Sequence, residues 1–325
     1  MTVDVRLARA FDPGSPPDGA EGPAPLKCAL VNNMPDAAFC ATERQFVGLL
    51  EAGLGCDTVA VTRHAMAGVP RGEQLQARIA AEYRPLEDIT SDPPDLLVVT
   101  GSNPVESRIE DEPYWSDLCG LLLWGSQNVP AMVLSCLSAH AALAFFDGVE
   151  RTTLSAKCTG LFAQDVEPTH QLAAGFDRSV VLPHSRLNAV PVEAVVAAGY
   201  EVALQSKQVG WSVVTKTVGR SNVVLVQAHP EYDPSSLVRE YFRDVRRYVG
   251  HERDELPCLP RDCVVGRDWH RLRRLHERVL GGERDPAVVA AFPFDEISAR
   301  APWPWRGPAL RLYANLLGSI PKRST

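Results

Sequence analysis

The chain has 325 residues, 45% hydrophobic and 22% charged, with a formal net charge of -7. That length suits one large or two modest domains with a substantial core, which excludes fibrous and disordered classes, and the acidic balance argues against a phosphate-backbone binder. No window approaches the roughly 18 to 20 continuous apolar residues of a membrane span, and the opening MTVDVRLARAFDPG lacks the apolar stretch of a secretory signal, so a cytoplasmic protein is expected.

Taken in chain order, residues 1–25 read as an exposed arm, because FDPGSPPDGAEGPAP is too dense in Pro and Gly for a regular element. Short runs rich in Val, Leu and Ala follow at residues 27–33 (KCALVNN), 57–62 (DTVAVT), 95–101 (DLLVVTG) and 130–135 (PAMVLS). Their unbroken apolarity is that of strands covered on both faces. Helical periods lie between them at residues 41–53 and 114–126.

Further strands are expected at 201–206, 209–215 and 221–229, the last two joined as a hairpin through Gly219 and Arg220, and an amphipathic helix at 236–249. Alternating β and α units imply a doubly wound, mostly parallel α/β domain over residues 26–250 with ligands at the carboxyl ends of its strands. Residues 251–325 read as a Pro-containing connector and helices near 269–280 and 308–320, a cap packed on the main domain.

The eight cysteines have no disulfide-framework spacing and read as reduced thiols. Cys136 differs from the others in its setting: PAMVLSCLSAHAALAFF is an apolar run that stops at a small residue and turns into an Ala-rich helical run. A nucleophile elbow needs this layout, since a tight strand-to-helix turn exposes the side chain at a helix N-terminus, where backbone N–H groups favour a thiolate and can hold an oxyanion. The flanks Leu134 and Ser138 fit only in part, and a buried cysteine at a strand end would look the same.

In VVLVQAHPEYD a strand delivers His229 and Glu231 to its carboxyl end, where parallel topology could set them beside Cys136 as general base and orienting acid. Glu240 and Arg243 lie three apart on the expected helix and share a face, as an intrahelical ion pair would or as a grip for a zwitterion would. His140 reads as a helix-surface residue or a second proton carrier. His251, Cys258, Cys263 and His270 are too weakly patterned for a zinc site, so no metal is expected.

NNMP (residues 32–35), ATERQFVGLL, VVTGSNPVE, EPYW, the Cys136 elbow, KCTGLF, GFDRSVVLPHSR, AHPEYD and EYFRD together resemble the homoserine O-acyltransferase family, often called homoserine O-succinyltransferases. The resemblance implies a class I glutamine-amidotransferase-like fold, a homodimer, and a place in methionine biosynthesis. It also implies succinyl or acetyl transfer from acyl-CoA to the hydroxyl of homoserine through an acyl-cysteine, with no permanently bound cofactor. By the same resemblance Cys136 is the nucleophile, His229 the base and Glu231 its partner, while Lys157, Ser185, Glu240 and Arg243 bind the amino-acid substrate.

Two departures stand out. Asp36, Ala37 and Ala38 replace the lysine pair that normally follows NNMP, and the acyl-specificity position falls on Val105 or Glu106 according to the alignment, leaving succinyl and acetyl open. Serine or a related hydroxy amino acid as acceptor, a glutaminase-like hydrolase, and a binding or regulatory protein that keeps the fold without the lysine pair are the alternative readings.

Overall fold

The computed structural model describes residues 25–53 and 58–321. Most of the expected N-terminal arm lies outside the described residues, as does Cys56. Nine strands form one sheet in the order β2-β1-β3-β4-β9-β8-β7-β5-β6: β1 (Leu26–Val31), β2 (Val59–His64), β3 (Leu96–Val99), β4 (Ala131–Ser135), β5 (Thr152–Val166), β6 (Ser179–Ala189), β7 (Glu201–Ser206), β8 (Gly210–Val218) and β9 (Ser221–Val226). From β2 to β9 neighbours run parallel, and from β9 through β8, β7 and β5 to β6 they run antiparallel.

The parallel half is the doubly wound α/β sheet that the apolar runs imply. Alternate residues of its strands feed two cores: Leu30, Val98, Val133 and Val226 point to one, and Val31, Val99, Leu134 and Leu225 to the other. Each face is covered, so no polar side is needed, which is why these strands are apolar throughout. The first core is closed by the helices Asp36–Gly53, Ser236–Val249, Gly266–Leu280 and Arg306–Ser319, the second by Trp115–Asn128 and Leu137–Asp147.

The helix expected from residue 41 begins at Asp36, because the Pro35 carbonyl accepts from the amides of both Ala38 and Phe39 at 3.1 Å and Asp36 places negative charge in the first turn. The hairpin expected at Gly219 and Arg220 forms, with Val218 opposite Ser221.

The C-terminal residues return to the sheet. Leu161 donates to the Arg261 carbonyl at 2.8 Å and Arg261 to the Thr159 carbonyl at 3.1 Å, around Gly160 at φ 138°. A Cβ on Gly160 would come within 2.5 Å of the Arg261 backbone nitrogen, so the glycine of KCTGLF is required for this close approach. Trp305, which caps the final helix, and Tyr313 within it are each 1% exposed, in the same core as the sheet, and a Cβ on Gly53 would lie 3.1 Å from the Tyr313 Cβ.

Candidate active site

The elbow forms at Cys136, between β4 and the helix Leu137–Asp147. Its backbone takes φ 52° and ψ -109°, a conformation that costs a non-glycine residue on the order of 1–3 kcal/mol. The surroundings hold it there. Cys136 N–H donates to the Val226 carbonyl of β9 at 2.7 Å, and Ser138 Oγ donates to the Thr100 carbonyl at 2.6 Å, tying the new helix to the loop after β3. A Cβ on Gly101 would stand 3.1 Å from Cys136 Cβ and 3.3 Å from Leu137 N, so only glycine leaves the thiol and this first helical amide open. That amide has no intrahelical acceptor.

Beyond β9 the chain reaches His229, whose N–H donates to the Pro183 carbonyl of β6 at 2.8 Å. Nδ1 of His229 donates to Glu231 Oε1 at 2.8 Å, and both residues are 7% exposed. Burial works to lower the basicity of the ring, but the Glu231 charge and the Cys136 side chain outweigh it and raise the His229 pKa well above its usual value. Nε2 is buried without a hydrogen bond of regular geometry, and the Cys136 side chain is close enough to act on the ring. Tyr232 stacks on the imidazole with ring centroids 4.3 Å apart. Trp305 Nε1 of the C-terminal segment donates to the Tyr232 carbonyl at 3.0 Å.

Tyr232 joins this pair to the expected substrate residues. Its hydroxyl donates to Glu240 Oε1 at 2.5 Å, while Lys157 Nζ, at 3.0 Å, and Ser185 Oγ donate to Glu240 Oε2. Burial alone would raise the Glu240 carboxyl; Lys157, Ser185 and Tyr232 together hold it below the usual carboxylate range. Lys157 also meets Asp244 at 3.3 Å, and Arg243 Nε donates to Asp244 Oδ1 at 3.0 Å. The carboxylate expected to hold an ammonium thus already carries three donors, and Arg243, with 37% of its side chain exposed, is the most open charge of the group.

Val105 and Glu106 lie on the loop after β3 with exposed side chains, and their N–H groups donate to Glu112 Oε1 at 3.0 and 3.1 Å. His140 is no surface residue: it is 4% exposed, its Nε2 donates to Gln227 Oε1 at 2.9 Å, and burial pushes its pKa down to about 4, so it stays neutral rather than carrying protons near pH 7. Among the described residues no three His, Cys, Asp or Glu side chains converge as a metal site.

Three arginines have no counterpart in the sequence reading. Arg71 donates to the carbonyls of Asn32, Met34 and Met66 at 3.0, 3.2 and 2.7 Å, bringing a cation to the loop that lacks the lysine pair. Arg151 and Arg186 both lie within electrostatic reach of Cys136. None sits in a pattern that spacing could flag, although Arg186 closes the PHSR motif.

A covered sheet with a cysteine elbow and a His-Glu pair at its carboxyl edge defines the class I glutamine-amidotransferase-like fold. Accordingly, the chain is similar to the solved structure of a glutamine amidotransferase from Methylobacillus flagellatus, with a TM-score of 0.51 at 16% identity over 93% of this chain and 97% of that one, a likeness of fold. The homoserine O-succinyltransferase family model matches residues 20–323. Proteins named homoserine O-succinyltransferase from Rhodopseudomonas palustris and Methylorubrum extorquens are each 37% identical, covering 85% and 92% of this chain and 83% and 88% of their own lengths. The chain belongs to the homoserine O-succinyltransferase family, a family of acyltransferases.

Proposed function

We propose that the protein is an acyl-CoA-dependent homoserine O-acyltransferase that works by a ping-pong route through an acyl group on Cys136. The observation that carries this is that the His229 ring feels Cys136 on one side and stacks on Tyr232, which bonds Glu240, on the other: an acyl-accepting thiol and an amino-acid site share one base.

In the first half-reaction the Cys136 thiolate attacks the thioester carbonyl, the oxyanion faces the Leu137 amide, and the bond from carbon to the CoA sulfur breaks. The imidazolium of His229 gives its proton to the departing CoA thiolate. In the second, the homoserine hydroxyl yields its proton to His229 Nε2 as its oxygen attacks the acyl-cysteine, and Cys136 leaves as a thiolate. Glu231 holds Nδ1–H throughout, fixing the tautomer and stabilising the imidazolium.

The first step exchanges one thioester for another and is nearly balanced, so the intermediate survives only where water is excluded. The buried Trp305 and Tyr313 of the C-terminal segment stand behind Tyr232 and Glu231 and support that exclusion. The acceptor ammonium exchanges with Lys157 at Glu240, and its carboxylate meets Arg243, whose guanidinium is open enough to receive it.

The test is CoA release followed with a thiol reagent, using homoserine, serine and glutamine in turn. About one equivalent of CoA per protein released without acceptor, with continued release only when homoserine is present, supports the reading; ammonia released from glutamine with no CoA dependence contradicts it.

A further inference from the structure

The ladder between β4 and β9 ends at the pair Ser135 and Val226, where Cys136 N–H donates to the Val226 carbonyl at 2.7 Å. Past that point the two chains part: β4 turns into the elbow helix, and β9 runs on through Gln227 and Ala228 to His229. The separation of thiol and imidazole is then set by what rejoins them. The strain at Cys136 makes such a fastening necessary, since a residue at φ 52° relaxes unless its surroundings over-determine it.

The chains rejoin one helical turn later. His140 N–H donates to the Cys136 carbonyl at 3.2 Å, which fixes His140 to the nucleophile's own peptide, and His140 Nε2 donates to Gln227 Oε1 at 2.9 Å. Gln227 stands two residues before His229 and has no slack: its side-chain amide donates to the Trp211 carbonyl at 2.7 Å and its N–H to the Ser212 carbonyl at 2.8 Å, both on β8. With the amide nitrogen so committed, Oε1 is the acceptor, which assigns the His140 proton to Nε2. Trp211 packs edge-on against the His140 ring, centroids 6.1 Å apart, and His140 and Gln227 are 4% and 1% exposed. Val226, Cys136, His140 and Gln227 thus form a ring fastened by hydrogen bonds, buried where an unpaired donor or acceptor is costly, so it resists opening. The imidazole takes no part in proton transfer near pH 7, because burial pushes its pKa down to about 4.

We propose that His140 and Gln227 are positioning residues for the acyl transfer: their hydrogen bond is a strut that fixes the separation and aim of Cys136 against His229. The proposal rests on the acyl-cysteine reading above and adds the device that keeps nucleophile and base together. Attack on the thioester and deprotonation of the acceptor hydroxyl use the same pair, so both half-reactions feel the loss of the strut, while donor and acceptor affinity do not.

Stopped-flow CoA release in the first turnover, followed by discharge with homoserine, tests this on wild type, His140→Leu, Gln227→Met, their combination, and His140→Gln, whose amide still donates to Gln227 Oε1. The readout is the rate constant, because a fold weakened elsewhere lowers the fraction of active protein and hence the burst amplitude. His140→Leu and Gln227→Met are expected to slow both half-reactions about tenfold at unchanged KM values, less than the roughly 100-fold of a misplacement near 1 Å because the Cys136 tie to Val226 remains. The combination is expected to be no slower than the slower single variant, since each removes the same contact, and His140→Gln to run close to wild type. Wild-type rate constants in His140→Leu, a loss confined to amplitude, or His140→Gln as slow as His140→Leu overturns the strut, while the wild-type burst leaves the acyl-cysteine standing. No burst from wild type overturns the acyl-cysteine and the strut together. Should His140→Leu fail to fold, Gln227→Met breaks the same bond from the other side and decides the matter.

Discussion

Glu231 accepts the Nδ1 proton of His229 at 2.8 Å, and the two residues are equally buried. Replacing the carboxylate by an amide keeps the shape but no longer stabilises the imidazolium or fixes one tautomer. Glu231→Gln is expected to lower kcat by about 10²- to 10⁴-fold. Steady-state CoA release measures it, and a loss below tenfold would show that Glu231 is not the orienting acid.

Gly101 gives the elbow its room. A methyl group there would sit 3.1 Å from Cys136 Cβ and 3.3 Å from Leu137 N, displacing the thiol or covering the amide. Gly101→Ala is expected to slow acylation of Cys136 about tenfold, because Cys136 and Leu137 must shift by a few tenths of an ångström to admit the methyl, with little change in thermal unfolding. Stopped-flow CoA release in the first turnover reports it; a normal burst rate would dismiss the steric role.

Glu240 gathers Lys157, Ser185 and Tyr232 around one carboxylate. If that carboxylate holds the acceptor ammonium, Glu240→Gln raises the homoserine KM by about 10- to 100-fold and leaves the rate of Cys136 acylation unchanged, because the donor half-reaction precedes the acceptor. Equal damage to both half-reactions would assign Glu240 a structural role instead.

His140 ties stability to pH. Its folded pKa is lowered from 6.5 to about 4 by burial, so between those values the unfolded chain binds a proton that the folded protein refuses. Stability therefore falls as pH drops from about 6.5 to about 4, by on the order of 3 kcal/mol, and this contribution levels off below that window. His140→Gln keeps a donor for Gln227 and removes the titration. Urea unfolding across this range is expected to show a flatter pH dependence in the variant, and parallel curves would refute the assignment.

Much of the parallel half was legible, because β1, β3, β4 and β9 are buried on both faces and their apolar runs stand out. β5 and β6 were not: TTLSAKCTGLFAQDV mixes exposed and buried positions, and β6 carries Pro183, His184, Ser185 and Arg186 through its middle. The elbow and the His229 strand end could be read because each is local. The approach of Arg151 to the elbow and of Arg71 to NNMP depends on tertiary contacts between loops, which leave no periodicity. His140 reads from the sequence as a helix-surface residue or a second proton carrier and is neither, because the nearly continuous apolar run around it is covered on both faces; residues 137 to 143 are all buried.

The most direct measurement is the mass of the intact protein after brief exposure to succinyl-CoA, for wild type and Cys136→Ser. The account predicts a gain of one succinyl group on wild type alone, mapped to the peptide containing Cys136 and discharged by adding homoserine. Homoserine acylation at the wild-type rate by Cys136→Ser, with no adduct at any stage, would contradict it.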